Sequence, residues 1–369
     1  MDSITMPDWS SLPESLLNLI SKNLNTRIDI LRYRSVCNSF RASTPLPPKF
    51  SSPYASLKIP IPDGLKGDHL LLTESTVYAI QPLNEAKTWL IKLQETNSCT
   101  LRIFDLFSAK RKVKHLSSHE FPPKSLNLLD YRVKEISKIY GYNNQVTGQL
   151  LCTFSNGCWI DLIVITKVVT SKCFDNMDDD FVVMALHQYK PIVWRIGDKS
   201  WNTIKFGDHD SSKVLDIIYH NGKFYAVDNT GLTVVVNSNT LCFTEIGPPI
   251  QNYKWDSIFF MESCNELFFI VVSVSYNCPY FTFTRNPKYG LKVFKLNEKM
   301  CGWDQVEEDR LVRSVFFVGD DCSFSISVKD LSGCEVNCVA FTGNHSTSFP
   351  KFVAIIKFTE AGKFRLKLF

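Results

Sequence analysis

The sequence predicts a small all-α module followed by a large all-β domain of the propeller class, with about six or seven blades. Three observations carry that expectation. Apolar residues recur at helical spacing over residues 11–41, six prolines crowd residues 45–62, and beyond residue 68 short β-branched and aromatic runs alternate with turn residues. The resulting boundaries are 1–44 for the helical module, 45–67 for a Pro-rich linker and 68–369 for the β domain.

The helical module comes first. Ser11 with Glu14 three residues on, and Pro13 between them, has the form of a capping box, in which two side chains satisfy the free N–H groups of a helix start. Behind it Leu12, Leu16, Ile20 and Leu24 recur at every fourth position with Leu17 alongside, while Glu14, Ser15, Asn18 and Lys22 occupy the other face. Thr26 with Asp29 marks a second start, followed by Ile28, Leu31, Val36, Cys37 and Phe40 amid Arg32, Arg34 and Arg41. Proline at 45, 47 and 48 stops the helical pattern. Two or three helices of this size bury little surface, and a module of about 40 residues usually needs outside support, so part of the apolar stripe is expected to face another protein.

The linker holds Pro45, Pro47, Pro48, Pro53, Pro60 and Pro62, a composition that favours extended, stiff chain. In the β domain a strand, a polar turn and a second strand recur: Thr100–Leu106 with Arg111–Leu116, Pro191–Ile196 with Trp201–Ile204, and Leu291–Leu296 with Trp303–Val306. Between them Ile217–His220 turns at Asn221-Gly222 into Phe224–Val227, and Thr230-Gly231 precedes Leu232–Asn237. Four-stranded units at intervals of about 40–50 residues are the mark of a propeller.

Bulk properties narrow the function. A 44% hydrophobic and 21% charged composition is that of a folded globular protein, and a net charge of +4 over 369 residues gives no basic surface for nucleic acid. Twelve cysteines are scattered without regular spacing, often inside apolar runs such as Leu151-Cys152-Thr153-Phe154. They are expected to be buried, reduced thiols of a cytoplasmic or nuclear protein, and the Asn344-His345-Ser346 sequon to be without effect. The opening residues are acidic without an apolar run, and the longest apolar stretches, such as Leu267–Val274, fall far short of the ~20 residues of a membrane span, so neither a secretory leader nor a membrane partner is expected.

Catalytic motifs are missing. The chain has no Gly-x-Ser-x-Gly, His-Glu-x-x-His, P-loop or Cys-x-x-Cys, so no enzyme activity, cofactor or metal is expected. His115 with His119 is read as a pair of surface histidines, Cys334 with Cys338 as thiols near a turn, Asp178-Asp179-Asp180 as a solvated hairpin tip, and Lys110-Arg111-Lys112-Val113-Lys114 as charge at an exposed turn that also fits a nuclear-import signal.

Leu12-Pro13-Glu14-Ser15-Leu16-Leu17, Ile20 and Leu24, then Asp29-Ile30-Leu31-Arg32-Tyr33-Arg34-Ser35-Val36-Cys37 and Phe40-Arg41, resemble the F-box, a short helical module that docks on a Skp-type adaptor and through it on a cullin scaffold. Phe40 departs from that pattern, since plant F-boxes usually carry Trp there, but an aromatic ring is kept. The remainder is similar to the plant family in which an F-box precedes a kelch-like, KIB-type propeller. The matching segments are Thr88-Trp89-Leu90-Ile91, Trp194-Arg195-Ile196-Gly197-Asp198 with Trp201, Tyr219 to Asp228 with Gly231, Phe294-Lys295-Leu296 with Trp303, Phe316 to Ser325, and Gly333 to Thr342.

The resemblance implies a substrate-recognition subunit of a Skp-cullin-F-box E3 ubiquitin ligase, non-catalytic, with an unidentified target protein on the propeller. The adaptor-binding residues it implies are Leu12, Pro13, Leu16, Leu17, Ile20, Val36, Cys37 and Phe40. Other readings stay open on the residues alone: the helices as an inward-facing cap on the β domain, a scaffold or inhibitor that uses the propeller without a ligase, and a kelch-type oxidase or hydrolase.

Overall fold

A computed structural model of the protein describes residues 11–24, 27–44, 56–62, 69–85, 88–95, 101–107, 130–143, 152–155, 158–161, 165–173, 179–204, 213–248, 257–275, 288–306, 314–319, 322–330, 338–343, 352–357 and 365–368. Three short helices open it: α1 (Glu14–Lys22), α2 (Arg27–Ser35) and α3 (Asn38–Ser43). Among the described residues most of the rest is strand, with a 3-10 turn over Val328–Asp330.

The first sheet contains β1 (Ser56–Pro60), β2 (His69–Pro82), β3 (Trp89–Glu95), β4 (Leu101–Phe104) and β5 (Tyr131–Asn143). Its frame is the long pair β2–β5, antiparallel from Leu71↔Asn143 to Pro82↔Tyr131 with a bulge at Val77/Tyr78. On the other side of β2, β1 takes the first half and β3 the second. A small hairpin follows, β6 (Cys152–Ser155) with β7 (Cys158–Asp161).

Three four-stranded meanders come next. The second group, or second sheet, is β8 (Ile165–Thr170), β9 (Val182–His187), β10 (Lys190–Arg195) and β11 (Asn202–Thr203), which the single pair Tyr140↔Val168 joins to β5 of the first in one nine-stranded sheet; the third is β12 (Val214–His220), β13 (Lys223–Asp228), β14 (Thr233–Asn237) and β15 (Phe243–Ile246). The fourth is β16 (Ser257–Ser263), β17 (Glu266–Ser275), β18 (Lys288–Asn297) and β19 (Gly302–Gln305). The fifth, β20 (Ser314–Val318), β21 (Ser323–Ser327), β22 (Cys338–Gly343), β23 (Phe352–Lys357) and β24 (Arg365–Leu368), departs from the meander because β20 and β22 pair in parallel.

Why these residues form these elements is visible in the turns. Asn221 and Gly222 both have positive φ, 46° and 79°, the backbone that a two-residue hairpin needs and that Asn-Gly adopts most readily. At the next turn the Asp228 carboxylate accepts from the backbone N–H groups of Thr230 and Leu232 at 2.8 and 3.0 Å, and Gly231 supplies a φ of 89°. Burial then grades across each sheet. All six residues of β9 are buried, whereas Phe243, Thr244 and Glu245 on the edge strand β15 are exposed.

The sheets close on themselves. Strands β5, β8, β12, β16 and β21 touch in that order and β21 returns to β5. An apolar cluster fills each gap between neighbours. Leu70, Leu72 and Tyr142 meet Phe181, Val183 and Trp194 between the first and second sheets. Val182 and Met184 meet Ile217 and Phe224 between the second and third. Tyr225 and Val227 meet Phe260, Phe269 and Phe294 between the third and fourth, and Ile270 and Val293 meet Phe316 and Val339 between the fourth and fifth. Val77 and Ile139 meet Val315, Phe324 and Ile326 to complete the circuit. Each side chain of this kind contributes about 1.5–3 kcal/mol when fully buried, so the ring is held by its seams as much as by its ladders.

Among the described residues five groups of strands make this ring, the first two joined by hydrogen bonds into one nine-stranded sheet. The expected interval of 40–50 residues suits the second and third groups, and the first runs from residue 56 to 143. β1 also lies inside the segment read as linker, paired with β2, and the indole N–H of Trp201 donates to the Pro60 carbonyl at 2.6 Å. The cysteines differ from expectation too. Of those described none is in a disulfide, but Cys242, Cys264 and Cys301 are exposed and only Cys322 is buried. Cys264 and Cys301 occupy positive-φ turn positions, which lie at the surface.

Candidate functional site

The N-terminal face is built by α1 and α3 packing on α2. Helix α1 does not begin with a capping box. Pro13 is its N-cap with no side-chain cap, and its carbonyl accepts from the N–H groups of Leu16 and Leu17 at 3.0 and 3.1 Å. Ser11 therefore stands two residues outside the N-cap and Glu14 is the first helical residue rather than the third, which rules out the reciprocal pairing. Thr26 lies outside the described residues, and α3 starts after Cys37, whose extended backbone (φ −162°) separates it from α2.

Three consecutive residues of α2 organise the module. Tyr33 turns inward, 7% exposed, with its ring 4.7 Å from that of Phe40 and its hydroxyl donating to the Leu17 carbonyl at 2.8 Å. Arg34 reaches α3, donating to the carbonyls of Arg41 at 2.9 Å and of Thr44. Arg32 points the other way, toward the first sheet, where it donates to the Val133 carbonyl at 2.8 Å.

The sequence-predicted residues divide into two groups. Leu17 and Phe40 are buried with Tyr33 in the core of the module, and Leu12, Leu24 and Cys37 pack against them. Pro13, Leu16, Ile20 and Val36 are exposed. Leu19, which sequence spacing passed over, is the most open leucine of α1 at 60%, beside Leu16 at 46%, Ile20 at 39% and Val36 at 56%. The stripe Leu12–Leu16–Ile20–Leu24 splits because α1 spans only Glu14–Lys22: Leu12 precedes its N-cap and Leu24 follows its C-cap, so both leave the helical spacing and pack on the module's core. Leu16, Leu19 and Ile20 stand three and four residues apart, the spacing that would have found Leu19.

The face is thus an uncovered apolar surface in a chain whose core residues are otherwise well buried. That is unusual for α1, a helix of nine residues with a single buried side chain, Leu17. Chemically the surface can do one thing, lose water against an apolar partner.

The second feature is a cavity of about 500 Å³ on the axis of the ring, lined from β5, β8, β12, β16 and β21. Lys167 on its wall forms an ion pair with Asp216, Nζ to Oδ1 2.6 Å, with side chains 7% and 3% exposed. Asp216 also accepts from the backbone N–H groups of Ile217 at 2.8 Å and Phe260 at 2.7 Å, so one carboxylate ties the second, third and fourth sheets together. Desolvation pushes this carboxyl above its ordinary value, and the Lys167 ammonium and the two N–H groups pull it back. Tyr140, also on the wall, is held well above its ordinary value by burial and by the Glu74 carboxylate, so its phenol stays neutral. Lys138 pairs with Glu74 at 2.8 Å. Among the described residues no three His, Cys, Asp or Glu side chains gather as a metal site.

Of the remaining sequence signals, Asp179 and Asp180 form an exposed turn and Cys338 is in β22. His115, His119, Asp178, Cys334, residues 110–114 and the sequon at 344–346 lie outside the described residues.

Comparison with known proteins places the chain. F-box protein SKIP23 of Arabidopsis thaliana is 28% identical over 92% of this chain and 85% of its own length. F-box protein At2g17036 from the same plant is 29% identical over 88% and 81%, and putative F-box/kelch-repeat protein At5g24040 is 25% identical over 97% and 93%. The model of the KIB1-4 beta-propeller family matches residues 50–360, the whole ring of sheets, and the chain belongs to that family.

Proposed function

We propose that the protein is the substrate-recognition subunit of a Skp-cullin-F-box E3 ubiquitin ligase, with the helices as its F-box and the ring of sheets as its target-binding part. The observation that carries this reading is the open apolar face of α1 at Leu16, Leu19 and Ile20, with Val36 after α2 exposed as well, which a Skp-type adaptor would cover. Leu17, Phe40, Leu12 and Cys37 support that face from behind as core, so the adaptor contact is assigned to the exposed members of the predicted set together with Leu19. An inward-facing cap would show the opposite burial. Relatives carrying the F-box name across nearly the whole chain support the same role.

The protein's part is proximity: it binds a target and a ligase at once and makes no bond itself. The test is co-purification of a Skp-type adaptor with the full chain, and of the cullin through that adaptor. Leu16→Asp with Leu19→Asp is expected to abolish adaptor capture while the sheets keep their unfolding midpoint; adaptor retained by that variant would remove the assignment.

A further inference from the structure

A stiff Pro-rich linker is one way to hold a helical module at a set distance from a propeller, but the structure contains a more direct one. Ile28 on α2 sits in an apolar cluster of the first sheet, with Ile80, Ile91 and Val133. One turn on, Arg32 donates from Nη2 to the Val133 carbonyl at 2.8 Å while its Nη1 lies 3.4 Å from Asp29 Oδ1. Residues four apart share a flank of a helix, so Ile28 and Arg32 present one flank of α2 to β5. Tyr33, the next residue, faces the module's own core. Helix α2 is therefore a plate with the module on one side and the ring on the other.

We infer that Arg32 is a positioning residue that clamps the helical module to β5, so that the open face of α1 and the ring of sheets turn as one body. Arginine suits the role because its planar fork carries donors on two nitrogens, one for the Asp29 carboxylate and one for the Val133 carbonyl; a lysine ammonium is a point charge without that fork. Ile28 supplies the apolar contact and Arg32 the direction. Beside them the exposed Lys134 pairs with Asp330 at 2.6 Å across the mouth of a cavity of about 350 Å³ between α2 and the sheet, so the seam is polar at its rim and apolar at Ile28. The functional consequence, a fixed distance from target to adaptor, rests on the bridging reading above, whereas the clamp itself does not.

The test places a donor and an acceptor dye at Glu14 on α1 and Glu245 on β15, both exposed, in the full chain, and reads the single-molecule distance distribution with and without purified Skp-type adaptor. One narrow peak is expected for the unaltered protein. Arg32→Ala and Ile28→Ser are each expected to lose it for a broad distribution, and Arg32→Lys to recover it only in part, with the unfolding midpoint of the sheets unchanged throughout. A broad distribution in the unaltered protein overturns the inference, and so does a narrow peak that survives in Arg32→Ala. If Ile28→Ser unfolds the helices, Arg32→Ala decides alone. Adaptor capture measured in the same samples separates the two readings: a narrow peak in a chain that captures no adaptor removes the bridging function and leaves the clamp standing.

Discussion

Replacing Leu16 and Leu19 together by Ala removes much of the apolar area that α1 leaves open to a partner and spares its one buried side chain, Leu17. Leu16 is 46% and Leu19 60% exposed, so about half of each side chain has yet to lose its water. Full burial of a leucine contributes about 2 kcal/mol, and the outstanding half therefore stands for about 1 kcal/mol per residue. Loss of both is expected to weaken adaptor binding by about 2 kcal/mol, roughly 30-fold in Kd. The fold should barely notice, since exposed substitutions change stability by about 0.5 kcal/mol or less and Ala is a good helix former. Leu17→Ala is the reciprocal case. At 2% exposure it sits in the module's core beneath the Tyr33 and Phe40 rings, where truncation costs about 2–5 kcal/mol of stability. Titration calorimetry of the full chain with a purified Skp-type adaptor, beside circular dichroism of each variant, distinguishes the two. Adaptor affinity unchanged in the double variant would refute the assignment of this face, and equal loss of helix signal in both variants would refute the division into outer and inner residues.

Three further outcomes follow from the ring. Asp216→Ala leaves the Lys167 ammonium and two backbone N–H groups buried without their acceptor, and denaturant unfolding should report a loss of about 3–5 kcal/mol, far above that of an exposed carboxylate such as Glu245. Gly319→Ala would set a Cβ 2.3 Å from the Phe107 carbonyl oxygen, so the loop must shift at a cost of about 1–3 kcal/mol, while Gly302→Ala, whose Cβ would lie 3.8 Å from its nearest neighbour, should be tolerated; unfolding midpoints compare them. Burial, with Glu298 adding to it, pushes the Tyr225 phenol up to about 12 from its ordinary 10.0. The unfolded chain loses that proton first, so stability is intact below pH 10 and falls as pH rises toward 12, and Tyr225→Phe should flatten that alkaline loss in a pH series of unfolding curves.

The strands were legible because their alternation and their turns are local signals. Asn221-Gly222 needs no tertiary context to make a hairpin, and the hairpins of the second, third and fourth sheets fall where the sequence puts them. What joins the sheets was not legible. Asp216 reads as a polar residue within an apolar strand, and only the closed ring brings it to Lys167, 49 residues earlier, and to the Phe260 N–H. How the strands divide into sheets was hidden for a related reason. A repeat interval can be counted from turns, but the first sheet spends its length on a 14-residue and a 13-residue strand and on the segments between them, which no local signal distinguishes from an extra unit.

The helices show the same division at smaller scale. Their amphipathic pattern marks apolar faces, yet the module is too small for its apolar residues to choose a side by themselves. Its own core amounts to Leu17, Tyr33 and Phe40 with three neighbours, little for a unit of three short helices to stand on alone. Outside support comes on one flank from the first sheet, through Ile28 and Arg32. On α1, Leu16, Leu19 and Ile20 stay in large part uncovered. An adaptor there would therefore do more than dock: by linkage, binding only the folded helices, it would raise their stability in proportion to the logarithm of its concentration over Kd. Hydrogen exchange of the α1 amides should slow as purified adaptor is added to the full chain, while the amides of β9, buried deep in the ring, keep their rates; equal slowing in both places would mean that the adaptor acts on the whole fold and not through this face.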